Sequence, residues 1–357
     1  MSKYIGCDAH RSYSTFVVVD ENGRAGAPVR VEHEREEFGT FLRSLPAGSP
    51  VGVEASGGWY WLIEEMEQAG LEPHLAHALE AKQRMRGRNK TDPLDARGLA
   101  WLLYEKRFPE VWIPSAKLLD LRGLMRSRLA LRAYQSGLKC RILAAVNRYG
   151  LRGNESNAGD WFKGKGRVRL SVHVGGLPEN TREATIQEWQ LVDQLERHIE
   201  QLQERIAEKI GKIGWVRLLE TMPGVGKVLG ATMYLEIGDV KRFPTASHLA
   251  SYAGLVPRVY SSGGKTHYGS TPQDANRYLK WAFVEAANCT VMHKHRYGER
   301  HVGRLYERLK KAKGHGKAAT AVARHLAEAS WWILCKAQAY REPAPATMSS
   351  SENGSAR

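Results

Sequence analysis

The sequence predicts an α/β amino-terminal domain, then a helical arm, then a mainly α carboxy-terminal domain. Three observations carry that expectation: strand-length apolar runs fill the first eighty residues, helical spacing takes over from about residue 114, and a Pro-Gly-Val-Gly turn joins two helix-like stretches near residue 222. "KYIGCDAH" and "STFVVVD" are apolar runs of strand length across a short polar link. "ENG" is a turn, and "VRVEHE" alternates as a third strand would. Helix-like "EEFGTFLRSL", apolar "PVGVEAS", helix-like "WYWLIEEMEQAG" and the short "EPHLAHA" follow. The order is β-β-β-α-β-α-β-α, with Asp8 near the end of the first strand and Glu54 at the end of the fourth.

From 114 to 150 apolar residues recur three and four apart among many basic ones. Residues 152 to 182 are rich in Gly, Asn and charge and read as a loop or irregular insertion. Val192, Leu195, Ile199, Leu202 and Ile206 then alternate spacings of three and four, the signature of a short coiled-coil seam. The two helical stretches could pair as an antiparallel hairpin arm, and a plain bundle core fits the same seam. "LLETMPGVGKVLGATMYLEIGDVKRF" reads as a helix, a tight turn and a second helix, similar to the helix-hairpin-helix elements whose backbone amides approach phosphates. The tail from Glu342 is rich in Pro, Ser and Ala and is expected to be disordered. The expected boundaries are 1–112, 113–213, 214–341 and 342–357.

The chain of 357 residues carries a formal charge of +15, with a pI near 9.7, which points to a polyanionic partner. The charge is unevenly placed. Residues 1–81 hold six Lys/Arg against thirteen Asp/Glu, residues 82–152 seventeen against five, and residues 291–325 ten against two. Solvated helix faces could explain such runs, but two basic blocks interleaved with Trp, Tyr and His fit nucleic acid better. Apolar runs fall short of the roughly 18 residues of a membrane span, and the start lacks a signal-peptide layout, so a soluble cytoplasmic protein without a membrane partner is expected. Four scattered cysteines, without a CxxC pair, argue against a disulfide framework or zinc knuckle. Cys289, His293 and His295 lack a fourth partner at metal-ligand spacing.

The informative acids sit behind a basic run. Lys82, Arg84, Arg86, Arg88 and Lys90 precede Asp92 and Asp95, which are three positions apart. On a helix that spacing shares one face, and Pro93 suits its first turn. Strand-end acids joined by such a pair form the oxygen-rich site that two divalent ions need for phosphoryl transfer. Taken singly, each acid also has a structural explanation: Asp92 as a helix cap, Asp95 as a partner of the helix dipole, Glu54 as a surface residue.

The set "GCDAH", "GVEASGG" and "KTDPLDA" resembles the RuvC-like, RNase H-fold domain of the DEDD transposases, the insertion-sequence family numbered one hundred and ten, to which the Piv invertase is related. "MPGVGKVLGATMYLEIGD", "LASYAGLVPRVYSSGGKTHYG" and "NRYLKWAFVEAA" are similar to that family's carboxy-terminal transposase domain. The resemblance covers residues 3 to about 290. It implies that Asp8, Glu54, Asp92 and Asp95 are the four acids of the family name, holding two Mg²⁺ or Mn²⁺ ions. It also implies a serine nucleophile in a Ser-Gly pair, here Ser262 before Gly263, with Ser261 adjacent. A phosphoserine ester would conserve the bond energy needed to reseal a strand.

The same resemblance implies donor and target DNA as substrates, a bridge RNA that selects them by base pairing, and dimers assembling into a synaptic complex. Arg122, Arg126, Lys227, Lys265, Arg277 and Lys280 join the basic run as candidate nucleic-acid contacts. The chain departs from the family at Arg11, where Lys is frequent, and at "TPQDANRYLKW", where a Lys-x-Gly-Asn pattern is frequent. Two other functions fit the same residues. A hydrolytic nuclease of the Holliday-junction-resolvase type needs the acids but no serine, and a non-catalytic nucleic-acid-binding protein needs only the basic helices.

Overall fold

Residues 3–85, 91–151, 160–272 and 274–343 are described by the computed structural model, which divides at Pro114 into two compact units. The first runs β1 (Tyr4–Ala9), β2 (Tyr13–Val19), β3 (Val29–Glu32), α1 (Arg35–Ser44), β4 (Pro50–Glu54), α2 (Trp59–Gln68), β5 (Glu72–Ala76), α3 (Ala78–Arg84), α4 (Asp92–Tyr104) and β6 (Glu110–Val111). The predicted strand and helix order is present; the two-residue β6 is too short to carry a sequence signal. The sheet order is β3-β2-β1-β4-β5-β6. β1 pairs antiparallel with β2 and parallel with β4, and β4 runs parallel to β5. This mixed sheet is RNase H-like.

Strand alternation divides the sheet into two faces. Ile5, Cys7, Phe16, Val51 and Val53 point into a core shared with Phe38 and Leu42 of α1 and Leu62 and Met66 of α2. Gly6, Asp8 and Gly52 occupy the intervening positions and so face the other way, towards α4. One side of the sheet is therefore core, and the other carries the acids.

The second unit begins with α5 (Ala116–Arg148), α6 (Gly164–Gly175) and α7 (Glu179–Ile210). α5 and α7 lie antiparallel: Met125 packs with Ile206 and Ile210, while Ile142 and Val146 pack with Val192. Of the five seam residues, Val192, Leu195, Ile199 and Ile206 are buried and Leu202 is half-buried. Each such burial contributes roughly 1.5–3 kcal/mol. The buried Gln135 side chain donates to the Val192 carbonyl at 3.2 Å and to Glu196, which fixes the register of the pair with polar contacts that an apolar seam alone lacks.

α6 lies inside the stretch expected to be irregular. Its glycines masked a single apolar seam: Leu170 and Val174, four apart, are buried with Trp161, Phe162 and Val192. One buried stripe suffices to hold a three-turn helix against a larger neighbour. Residues 152–159 and the tail from residue 344 lie outside the described residues.

The remainder comprises α8 (Gly214–Leu219), α9 (Lys227–Ile237), α10 (Ala246–Tyr252), the hairpin β7 (Val259–Ser262) and β8 (Lys265–Tyr268), then α11 (Arg277–Met292), α12 (Lys294–Tyr297), α13 (His301–Lys313) and α14 (His315–Lys336). Its core gathers Leu219, Met233, Leu249, Phe283, Val322 and Leu326. In the Pro-Gly-Val-Gly turn, Gly224 adopts a positive φ of 76°, and a Cβ there would lie 2.2 Å from the Ala286 carbonyl oxygen, so this glycine serves close packing on α11. α14 carries two adjacent tryptophans; Trp331 donates to the Phe243 carbonyl, whereas half of Trp332 stays exposed.

A buried carboxylate ties these helices to the arm. Glu236, 1 % exposed, accepts from Arg126 through both oxygens at 2.8 Å and from Asn276 Nδ2 at 2.8 Å. Arg122 donates to the carbonyls of Leu235 and Glu236, at 2.7 and 3.1 Å. Asn276 also caps α11, its Oδ1 accepting from the amides of Tyr278 and Leu279. Arg122, expected among the nucleic-acid contacts, is instead buried and closes the end of α9, whereas Arg126, expected beside it, is partly exposed and neutralises the buried acid. Spacing alone does not separate a basic helix face that meets phosphate from one that meets a buried carboxylate.

Burial acts to raise the Glu236 carboxyl, but the hydrogen bonds from Arg126 and Asn276 outweigh it and hold it below the usual glutamate range. This group therefore contributes stability that is present above the ordinary glutamate pKa and is lost as the pH falls through its depressed folded value. Glu236→Ala should destabilise the protein by roughly 3–5 kcal/mol, because the Arg126 guanidinium loses its carboxylate partner and the Asn276 amide one of its acceptors. Urea unfolding at pH 7 measures it, and the difference from wild type should shrink as the pH is lowered below about 4.

Candidate active site

Two glycines decide how closely α4 approaches the sheet. A Cβ on Gly6 would lie 1.8 Å from the Ala96 carbonyl oxygen and 2.6 Å from the Ala100 amide nitrogen, and one on Gly52 would lie 2.6 Å from the Phe108 ring. The bare backbone of β1 thus lets α4 rest on it with its alanines inward, while that of β4 makes room for the Phe108 ring and the Leu103 side chain. Two residues further along the same strand face stands Asp8. The β1–β4 register pairs Cys7 with Val53, and one more step sets Glu54 beside Asp8.

α4 starts at Asp92, with Thr91 at its N-cap and Pro93 in its first turn, as the sequence suggested. Thr91 makes no side-chain cap bond. Asp92 and Asp95 therefore sit in the turn that precedes Ala96, next to the strand ends. Asp92 Oδ2 lies 3.1 Å from His10 Nε2, which is 3.2 Å from Asp8 Oδ2. Burial lifts the Asp8 carboxyl above the usual aspartate value; His10 opposes the rise, and the charges of Asp95 and Asp92 add to it. The Asp92 carboxyl is held low, first by the hydroxyl of Tyr13, which donates to Asp92 Oδ2 at 2.9 Å. That bond in turn raises the Tyr13 phenol and keeps it a donor.

Among the described residues, Asp8, His10 and Asp92 bring one ligand atom each within 4.8 Å of one another. Two carboxylate oxygens and an imidazole fit a divalent cation. Asp8 and Asp92 are half-buried and His10 is exposed, so the cluster is open to a substrate. His10 and Tyr13 were not singled out from the sequence. The available signal for the first was its place two residues after Asp8, just past the end of β1. Tyr13 needed the hairpin.

Ser262 ends β7 directly before Gly263 and Gly264, whose φ values of 56° and 76° make the two-residue turn that favours glycine at both positions. The glycine-rich stretch is thus an ordered hairpin. Ser262 pairs with Lys265 and Ser261 with Thr266, and both serines are exposed. Of the candidate basic residues, Lys82 is exposed on α3, while Arg84 is bound to Glu80 at 2.8 Å and to the Arg107 carbonyl at 2.9 Å. Lys227 opens α9, and Arg277 opens α11 with its guanidinium on Tyr278. Lys280 Nζ donates to Thr271 Oγ1 at 2.8 Å. Arg86, Arg88 and Lys90 lie outside the described residues, as does the side chain of Lys265. His293 Nδ1 lies 2.9 Å from the Cys289 carbonyl oxygen one turn back, a local contact at the end of α11.

A mixed sheet of this order, with acids at the ends of its central strands and two more at the start of the covering helix, defines an RNase H-like enzyme of the DEDD class. A model described as the Transposase IS116/IS110/IS902 family matches residues 216–302, and a DEDD transposase model of the IS110 type matches residues 5–150. The chain is 24% identical to the transposase for insertion sequence element IS1111A of Coxiella burnetii, over 95% of this chain and 91% of that one. An uncharacterized 44.8 kDa protein of insertion element IS116 from Streptomyces clavuligerus is 32% identical across 43% of this chain and 37% of its own. The pilin gene-inverting protein of Moraxella bovis is 48% identical over a segment that is 15% of this chain and 17% of that protein. The chain belongs to the IS110/IS1111 family of DEDD transposases. No helix among the described residues is long and apolar enough to cross a membrane.

The closeness of α4 to β1 sets a test. Gly6→Ala should cost at least roughly 1–3 kcal/mol, because the clash is with helix backbone that cannot rotate away. A lowered thermal midpoint together with lost DNA-strand cleavage is expected, whereas Gly57→Ala, where an added Cβ meets nothing within 4 Å, should keep both near wild type.

Proposed function

We propose that this transposase exchanges DNA strands through a covalent serine ester, with Asp8, Glu54, Asp92 and Asp95 holding two Mg²⁺ or Mn²⁺ ions and Ser262 as the nucleophile. The observation that carries the metal part is the convergence of Asp8 and Asp92 within reach of one cation, with Asp95 close enough to perturb Asp8. Ions bound there supply Lewis-acid stabilisation of the attacking and leaving oxygens of a phosphodiester. Hard carboxylate oxygens suit either Mg²⁺ or Mn²⁺.

Support for the serine comes from its place in the family motif and its exposed position beside a two-glycine turn, which presents its hydroxyl without steric cover. Ser262 Oγ forms a bond to phosphorus while one bridging sugar oxygen leaves, taking up the proton that the serine gives up. The hydroxyl of the strand to be joined then attacks the phosphoserine ester and restores the serine. One phosphodiester is broken and one made, so no external energy source is needed.

In the same reading a bridge RNA pairs with donor and target DNA and so selects the sequence, and dimers assemble into a synaptic complex. Lys82, Lys227, Arg277 and Lys280, with Lys265 and the run through Arg86, Arg88 and Lys90, hold phosphate backbones; the charge of +15 supports that role.

Denaturing electrophoresis of protein incubated with Mg²⁺, RNA and labelled element-end DNA should reveal a protein–DNA adduct. That adduct should vanish in Ser262→Ala and persist in Ser261→Ala; cleaved DNA without any adduct would instead identify a hydrolytic nuclease. Asp8→Ala, Glu54→Ala, Asp92→Ala and Asp95→Ala should each abolish recombination while RNA binding, followed by gel shift, survives. Wild-type-like recombination by any of the four removes that residue from the metal site.

A further inference from the structure

The turn between β1 and β2 brings a hydroxyl donor and an imidazole nitrogen to a single carboxylate oxygen. His10 and Tyr13 close that turn through a backbone bond from the His10 amide to the Tyr13 carbonyl at 2.9 Å. Their side chains then converge on Asp92 Oδ2, the phenol hydroxyl at 2.9 Å and the imidazole Nε2 at 3.1 Å. The ring of Tyr13 is itself held. The Arg30 guanidinium lies 3.6 Å from its centroid, Arg30 Nε is bonded to Glu32 Oε1 at 2.9 Å, and the His10 ring packs at 4.7 Å. Tyr13 faces Glu32 across the β2–β3 ladder, with Arg30 opposite Thr15 two residues along, so the sheet register places the clamp.

We propose that Tyr13 is a positioning residue for the metal site: its hydroxyl fixes the Asp92 carboxylate next to Asp8, organising the site for a divalent cation before the cation binds. The proposal rests on the reading that Asp8 and Asp92 hold the metal. Three considerations support it. Asp92 begins a helix whose N-cap residue makes no side-chain bond, so the end that carries this acid lacks the usual anchor. Asp8, Asp92 and Asp95 repel one another in the absence of a cation, which favours rotation of the half-exposed Asp92 towards water. A hydrogen bond from a ring stacked on Arg30 and His10 opposes that rotation, so part of the ordering of the carboxylate is completed on folding and no longer subtracts from metal affinity.

Tyr13→Phe removes one oxygen and leaves the ring on Arg30 and His10. Metal-free full-length protein is titrated with Mn²⁺, and free Mn²⁺ is followed by electron paramagnetic resonance. The variant should bind roughly 10- to 100-fold more weakly, the range usual for partners that orient a metal ligand. Its metal-free thermal midpoint should equal that of wild type. The Mn²⁺ concentration for half-maximal strand cleavage should rise by a similar factor, with the rate at saturating Mn²⁺ returning towards wild type. A Tyr13→Phe affinity within about twofold of wild type overturns the proposal, since that is below the range expected of an orienting partner; so does a lowered metal-free midpoint that accounts for the loss. Asp92→Asn separates the two levels. If wild type binds Mn²⁺ no better than Asp92→Asn, the metal reading falls and Tyr13's role with it. If Asp92→Asn loses binding while Tyr13→Phe does not, only Tyr13's role falls.

Discussion

The amino-terminal unit depends on one close approach, the contact of α4 with the backbone of β1 at Gly6, next to which Gly52 of β4 makes room for the Phe108 ring and the Leu103 side chain. Nothing larger than hydrogen fits between Gly6 and the Ala96 carbonyl. Because the strand face alternates, the residues two positions beyond these glycines are Asp8 and Glu54, and because a helix turns every 3.6 residues, the turn ahead of Ala96 is the one that carries Asp92 and Asp95. A packing constraint and a chemical site are thus the same local arrangement seen at neighbouring positions. The bare strand positions bring the helix down, and the acids gather where it begins.

Electrostatics then works against that arrangement, and the surroundings answer it. Burial and the neighbouring carboxylates raise Asp8, whereas the Tyr13 hydroxyl keeps Asp92 low. Tyr13 places a donor and His10 an imidazole nitrogen where the negative charge collects, while the opposite face of the sheet is closed by the apolar core beneath α1 and α2. The second unit meets the same difficulty differently. Glu236 is almost fully buried, yet it stays ionised because two Arg126 donors and one Asn276 donor occupy its oxygens. One carboxylate group is left open for a ligand; the other is satisfied from within.

Much of this was legible in the sequence, for reasons that can be named. The order of strands and helices in the first unit follows from apolar periodicity, and the acids stood out because they close strands or open a helix. The seam of α7 was visible because its spacing is regular. Less could be read where a signal is carried by a partner remote in sequence. Arg122 and Arg126 look like any basic helix face until Glu236, more than a hundred residues away, is placed opposite them. α6 was hidden by its glycines, which suggest a loop, although Leu170 and Val174 alone hold it down. Tyr13 lies in a plain strand pattern, and its role appears only when the hairpin folds it against α4. The hairpin at "YSSGGKT" likewise shows only in the structure, where Gly263 and Gly264 both take positive φ in the turn.

The tie between α5 and α9 has a mechanical consequence. α5 is a continuous helix of 33 residues, and the guanidinium contacts that bind it to α9 are confined to its first three turns, at Arg122 and Arg126. The rest of the helix is a stiff rod beyond its mounting. A tilt of about 5° at the mounting would sweep the far end by about 3 Å over the roughly 33 Å between Arg126 and Arg148. The same leverage works in reverse: a load on the distal end is delivered to the carbonyls of Leu235 and Glu236, and from the Glu236 carboxylate to Asn276, the residue that caps α11.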